Sequence, residues 1–190
     1  MTTQRISQKQ AAGRKTQYGY VQGLTIIIVV LAIIGFGILL IGMNKLTGSK
    51  VQNEIQYITD LMGNTRSYAS QIGVFDSTNA NLQALVGRGF FPPNQVSGAV
   101  GSRVVTNQWK GAMEVAVGTI SVAGDALEFT SPGYPESACK QVATQIDSLV
   151  SRIRINGTTV KAVGAKTVPA DVDAACSGNT NTLIYTVSAA

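Results

Sequence analysis

The sequence predicts an α+β domain in which one long N-terminal helix packs against an antiparallel sheet. Three observations carry this reading. An uncharged apolar run, Leu24 to Met43, is followed by an amphipathic helical pattern. Past residue 111 the hydrophobic period changes from 3.6 to two. Finally, Asn156-Gly157 separates two short strand-like segments, a strong short-range hairpin signal.

The apolar run is about 20 residues, which as a helix rises roughly 30 Å, enough to cross a bilayer core. No charged residue occurs between Lys15 and Lys45, and no small-residue cleavage site of the secretory type follows Met43. The run is therefore expected to stay in the mature chain as a single membrane pass. Arg5, Lys9, Arg14 and Lys15 precede it, which places the N-terminus in the cytoplasm and the body outside. Gly35, Gly37 and Gly42 interrupt it. These suit either ordinary membrane-helix composition or a helix that packs closely on copies of itself.

Helical periodicity continues beyond the membrane edge. Val51, Ile55, Ile58, Met62, Ala69 and Ile72 form a predicted apolar stripe with polar residues between them. Residues 73–111 read as a long loop, with one helical turn at Asn81 to Val86 and with Phe90, Phe91 and Trp109 as anchors. Met113 to Val117, Thr119 to Val122 and Leu127 to Thr130 read as strands, with turns at Gly118 and at Ala123-Gly124-Asp125. Pro135 suits the first turn of a second helix, whose predicted buried face is Cys139, Val142, Ile146, Leu149 and Ile153. The hairpin joins Arg154-Ile155 to Thr159 to Val163, and Thr182 to Val187 is the last strand.

The chain of 190 residues carries a formal charge of +5. Without residues 1–23, 11 basic residues face 10 acidic ones, so the basic balance belongs to the leader. A phosphate-binding stripe on the body is unsupported, and no direct nucleic-acid binding is expected. The chain has no histidine, which excludes Ser-His-Asp and Cys-His catalytic sets. Asp171 with Asp173, and Asp125 with Glu128, fall in turn-like sequence and read as solvated acids. Gly87-Arg88-Gly89 is too short for a phosphate loop, and the sequon at Asn156 is better explained by the hairpin. No enzyme, small-molecule substrate, cofactor or metal is expected. The two cysteines, Cys139 and Cys176, favour one disulfide in an exported chain, two separate buried thiols being the alternative. Such a bond would close a loop of about 38 residues and stabilise by roughly 3 to 4 kcal/mol.

A basic leader ending in glycine, an apolar helix, an α+β body and a late cysteine pair together resemble type IV pilins. The run Gly23-Leu24-Thr25-Ile26-Ile27-Ile28-Val29 looks like that family's prepilin peptidase site and mature N-terminus. Counted from a cut after Gly23, Gly37 and Gly42 fall where pilins of the type IVb branch have glycines. Glu136 to Val142 and Ala175-Cys176 with Asn181 to Tyr185 resemble the branch's disulfide region and closing strand. The nearest resemblance is to the PilS-type pilins of conjugative thin pili.

The resemblance implies a leader at 1–23 removed by prepilin peptidase, a membrane and polymerisation half-helix at 24–48, and an extracytoplasmic pilin domain at 49–190. It further implies an inner-membrane precursor, the pilus assembly machinery as partner, and a helical homo-oligomer used for conjugation or adhesion. A minor or tip pilin, or an anchored binding protein that does not polymerise, is the alternative. One position departs from the pattern. Ile28 stands where the family carries a glutamate that meets the N-terminal amine of a neighbouring subunit. Gly19 is the alternative cut, and it would put Leu24 at the glutamate position.

Overall fold

The computed structural model describes residues 48–189. The run at 24–43, with Gly23, Leu24, Ile28, Gly35, Gly37 and Gly42, lies outside them. Among the described residues no helix is long and apolar enough to cross a membrane.

The first element, α1, is a helix at 48–72. Its buried face is Val51, Glu54, Tyr57, Ile58, Leu61, Thr65, Tyr68 and Ala69. The predicted stripe is thus rotated: Ile55, Met62 and Ile72 are only partly buried at the edge of the core. Two polar residues on the buried face obscure the pattern. The Thr65 hydroxyl is satisfied by the Leu61 carbonyl at 2.7 Å, and Glu54 has its own donors, described below.

Residues 73–111 are more ordered than a loop. They hold α2 (Leu82–Gly87), a 3-10 turn (Pro93–Gln95) and a two-stranded ribbon of β1 (Val96–Ser97) and β2 (Val104–Val105). Asn81 caps α2 by accepting from the Ala84 amide. Phe90 and Phe91 are buried anchors, and the Trp109 ring packs on Tyr134 at 4.7 Å.

The main sheet contains β3 (Glu114–Thr119), β4 (Ala123–Tyr134), β5 (Arg152–Ile155), β6 (Thr158–Lys161) and β7 (Asn181–Ser188). Its order is β3-β4-β7-β5-β6, and each neighbouring pair is antiparallel. The last strand therefore enters the middle of the sheet. Register places Phe129, Tyr185 and Ile153 in one row and Ser131, Leu183 and Ile155 in the next. All six are buried and form the inner face. On the opposite face Arg154 reaches across β7 to Glu128 at 2.7 Å.

Three other expectations are corrected. Thr119 to Val122 is not a strand of its own. The Asp125 carboxylate accepts from the Ile120, Ser121 and Val122 amides, so those residues form the β3–β4 turn. These amides, Val122 and Ile120 foremost, also hold the Asp125 carboxyl below its usual range. The second helix, α3 (Glu136–Gln145), stops before Leu149 and Ile153, and Ile153 belongs to β5. In Arg-Ile-Arg-Ile the period-two pattern outcompetes the helical one, because both isoleucines then face the core. Lastly, Asp171 and Asp173 lie on a short helix, α4 (Pro169–Ala175), not in a turn. Proline at its first position and an acid in its first turn are legible helix-start signals.

The hairpin forms at Asn156-Gly157, where both residues take positive φ, 50° and 86°. That is the backbone of the tight turn whose twist matches its strands.

Candidate functional site

Two regions stand out, and the first brings predicted site residues together. The first is the C-terminal lobe. Cys139 lies on the buried face of α3, and Cys176 follows the last turn of α4. The two are bonded, with Cα atoms 5.8 Å apart, and both are buried. The bond ties α3 to α4 across a separation of 37 residues. At the surface of the seam Lys140 pairs with Glu136 at 2.8 Å and Asp173 at 3.5 Å. The hydrogen bond that Lys140 donates to Glu136 is the main reason its ammonium titrates above the usual lysine range.

A polar clamp lies beside the disulfide. The Asn156 amide donates to the Ala175 carbonyl at 3.0 Å and to Asn181 Oδ1 at 2.8 Å. Its oxygen accepts from the Thr182 amide. Asn181, fully buried, donates in turn to the carbonyls of Tyr134 and Gly178. One turn residue thus fastens β5, the end of α4 and the start of β7. The side-chain nitrogen that a glycan would need is already engaged.

Beneath the loop that joins β6 to α4, Lys161 is buried against Asp147. Its ammonium donates to the Asp147 backbone carbonyl and pairs with the carboxylate at 3.2 Å. Burial works against the Asp147 charge, but the Thr167 amide and Lys161 outweigh it and hold this carboxyl below its usual range.

The second region joins α1 to the 73–111 segment and β4 through a buried carboxyl. Glu54 is fully buried and accepts from the Tyr134 hydroxyl and from the Gln108 amide at 3.2 Å. Tyr134 continues to Ser131 at 2.9 Å, and Ser131 to Asn107 at 2.9 Å. Asn107 closes the chain by donating to the Pro132 carbonyl and accepting from the Trp109 and Gly111 amides. Among the described residues no ion pair includes Glu54, and burial raises its titration above the ordinary carboxylate range, against the pull of its two donors. Tyr57 and Tyr134 are pushed upward, by burial first and by the Glu54 charge second. The sequence reading missed Glu54. The signal was there: an acid at the i+3 position from Val51 and four before Ile58, on the apolar stripe itself.

Both regions also present isolated apolar side chains to solvent, Val100 and Val104 in the β1–β2 ribbon and Val163 and Val168 after β6. Among the described residues no group of histidine, cysteine or acidic side chains is placed to hold a metal ion.

A long helix whose inner face is covered by an antiparallel sheet, with the last strand central and a late disulfide tying two helices, is the fold of type IV pilins. The crystal structure of type IVb pilin from Salmonella typhi superposes with a TM-score of 0.58 at 23% identity, over 72% of this chain and 99% of that one. The crystal structure of TcpA, a type IV pilin from Vibrio cholerae El Tor, gives 0.56 at 16% identity, over 74% and 99%. The NMR structure of the Salmonella typhi type IVb pilin PilS gives 0.50 at 25% identity, over 72% and 94%. No curated protein sequence matches the chain. Residues 48–188 match the family described as PilS N terminal, so the chain belongs to the PilS family, type IV pilins of the IVb branch. Family and fold together support a role as a subunit of an extracellular pilus.

Proposed function

We propose that this chain is a structural subunit of a type IVb filament. The precursor sits in the inner membrane through the run at 24–43. Prepilin peptidase cuts after Gly23, and the assembly machinery moves the mature chain, starting at Leu24, into a helical homo-oligomer. The half-helix at 24–48 polymerises, with Gly35, Gly37 and Gly42 allowing close approach between copies. An apolar helix exchanges lipid for other apolar helices at little hydrophobic cost, so the transfer is close to neutral. The domain at 49–190 then tiles the outside, and identical contacts that do not close on themselves give a fibre. The 73–111 segment and the lobe closed by Cys139–Cys176 supply lateral contacts, and conjugation or adhesion is the use that fits the branch.

The observation that carries this reading is the family match over residues 48–188, read together with the leader and apolar run that precede it. Sheared filaments should contain the chain beginning at Leu24, and Gly23→Val should abolish both processing and filaments. A full-length chain confined to the inner membrane would overturn the proposal. Ile28 favours a second reading, a minor or tip pilin, because the amine of Leu24 then lacks the family's carboxylate partner in lipid. Counting copies per filament separates the two readings. An anchored binding protein that does not polymerise would be indifferent to Gly23→Val.

A further inference from the structure

A pocket of about 310 Å³ opens between α1 and the end of α2, away from the disulfide and the Glu54 network. Its lining is Asn64, Ser67, Tyr68, Gln71, Arg88 and Phe90. Asn64, Ser67 and Gln71 recur at helical spacing on α1, so their amides and hydroxyl form a polar row roughly 10 Å long.

Arg88 is held in place twice over. Its backbone belongs to the stop of α2. The Gly89 amide bonds to the Val86 carbonyl and the Phe90 amide to the Leu85 carbonyl, and Gly89 takes the positive φ, 76°, that this helix ending requires. Its guanidinium lies 4.4 Å from the centre of the Tyr68 ring. Tyr68 is fixed in turn by an edge-on contact with Phe90, and Asn64 donates to the Phe90 carbonyl. The pocket wall is therefore built before any ligand arrives.

The charge at this wall is uncompensated. None of the six lining residues is acidic. The ion pairs among the described residues involve Lys140, Arg154 and Lys161, and Arg88 is in none of them. A positioned guanidinium offers paired donors to a planar carboxylate. The aromatic rings offer no stacking platform, because Tyr68 and Phe90 are only 3% and 5% exposed. A neutral sugar would thus find little to hold it. A phosphate group would find one cation only. A ligand with one carboxylate and a ring of hydroxyls matches both the arginine and the row of amides.

We propose that this pocket binds an acidic saccharide, with Arg88 taking the carboxylate and Asn64, Ser67 and Gln71 taking the ring hydroxyls. Arg88 and Phe90 lie in the 73–111 segment to which the filament reading gives lateral contacts, so the site is tested on the unassembled chain. The competing explanation is that Arg88 only covers the ring cluster that Tyr68 forms with Phe75, 6.0 Å away between centres, and Phe90, 5.6 Å away.

Saturation-transfer NMR on the purified full-length chain in detergent micelles tests the site, with methyl β-D-glucuronide as probe, methyl β-D-glucoside as neutral control and inorganic phosphate as competitor. Glucuronide should receive saturation and glucoside should not. Arg88→Gln should weaken binding about tenfold or more, as loss of a charge-assisted bidentate contact does. Gln71→Ala should weaken it several-fold while leaving the thermal midpoint unchanged, which keeps the test valid if Arg88→Gln folds poorly. Equal binding of glucoside, or unchanged affinity in either variant, would overturn the proposal. So would displacement of glucuronide by an equal concentration of phosphate, since the site would then be one for simple anions.

Discussion

The helix α1 and the C-terminal lobe are both fastened to the same sheet, but by opposite means. The lobe is closed covalently by Cys139–Cys176, with a neutral asparagine clamp alongside. The helix, beyond its apolar face, is tied to β4 through a buried carboxyl that accepts hydrogen bonds from a tyrosine and a backbone amide. A disulfide acts mainly by limiting the unfolded chain, and protons do not affect it. A buried acid without a cation is sensitive to pH and to the loss of any one donor. The contrast teaches where each half is vulnerable: the lobe to reductant, the helix seam to rising pH and to small changes in its hydrogen bonds.

The largest effect should come from breaking the lobe. Replacing Cys139 and Cys176 together by serine is expected to cost about 4 kcal/mol on the chain-entropy relation, read from the urea midpoint. Equal stability of the oxidised and reduced proteins would show that the clamp at Asn156 and Asn181 suffices alone.

The seam should respond less. Tyr134→Phe removes a donor from Glu54 and a link to Ser131, and should cost about 1–3 kcal/mol, as for a buried polar group left short of a partner. It should do so without changing the sensitivity to reductant.

The pH dependence follows from the direction of the Glu54 shift. Its folded pKa lies above its unfolded value of about 4.5. Between those two values the native state keeps a proton that the unfolded chain has released, so stability falls as pH rises through the window and returns on acidification. Asp147 works in the opposite direction. Its folded pKa is depressed, so it removes stability only as pH falls below the usual aspartate range. Denaturation midpoints measured as pH is lowered from 7 should therefore rise and then fall, and Glu54→Gln should remove the rise. A variant that keeps the rise would assign it to another group.

The smallest effect belongs to the surface of the lobe. Lys140→Ala breaks the pairs with Glu136 and Asp173, yet the thermal midpoint should not move measurably, because exposed pairs contribute little. A clear loss would mean that the α3–α4 seam leans on charge as well as on the disulfide.

The difference between the regions also explains what could be read in advance. Much of the lobe was visible. Asn156-Gly157 announces its turn because few residue pairs tolerate two positive φ values in succession. The alternation from Thr182 to Val187 marks β7, and two cysteines can form only one pair. The helix α4 was missed, although Val168-Pro169-Ala170-Asp171 carries a helix start, because a run of seven residues is too short to show a period. On α1 the helix was legible and its facing only in part, Val51, Ile58 and Ala69 being buried as expected. Ile55 and Met62 look like core residues, and Glu54 does not. Only the tertiary structure supplies the Tyr134 hydroxyl and the Gln108 amide that make burial of that acid possible.

The sequence by itself determined the features that rest on local rules: a basic segment before an apolar run, an amphipathic helix, a hairpin turn, a closing strand and a cysteine pair. These follow from periodicity and backbone preference, which act over a few residues. Tertiary structure decided everything that depends on contacts between residues distant in the chain. It set β7 between β4 and β5, rotated α1 to bury Glu54, and brought the end of α2 over Tyr68 so that Arg88 stands ready beside a polar pocket. The physical reason is the same in each case. Hydrogen-bond partners and packed neighbours 20 to 80 residues away leave no trace in local spacing.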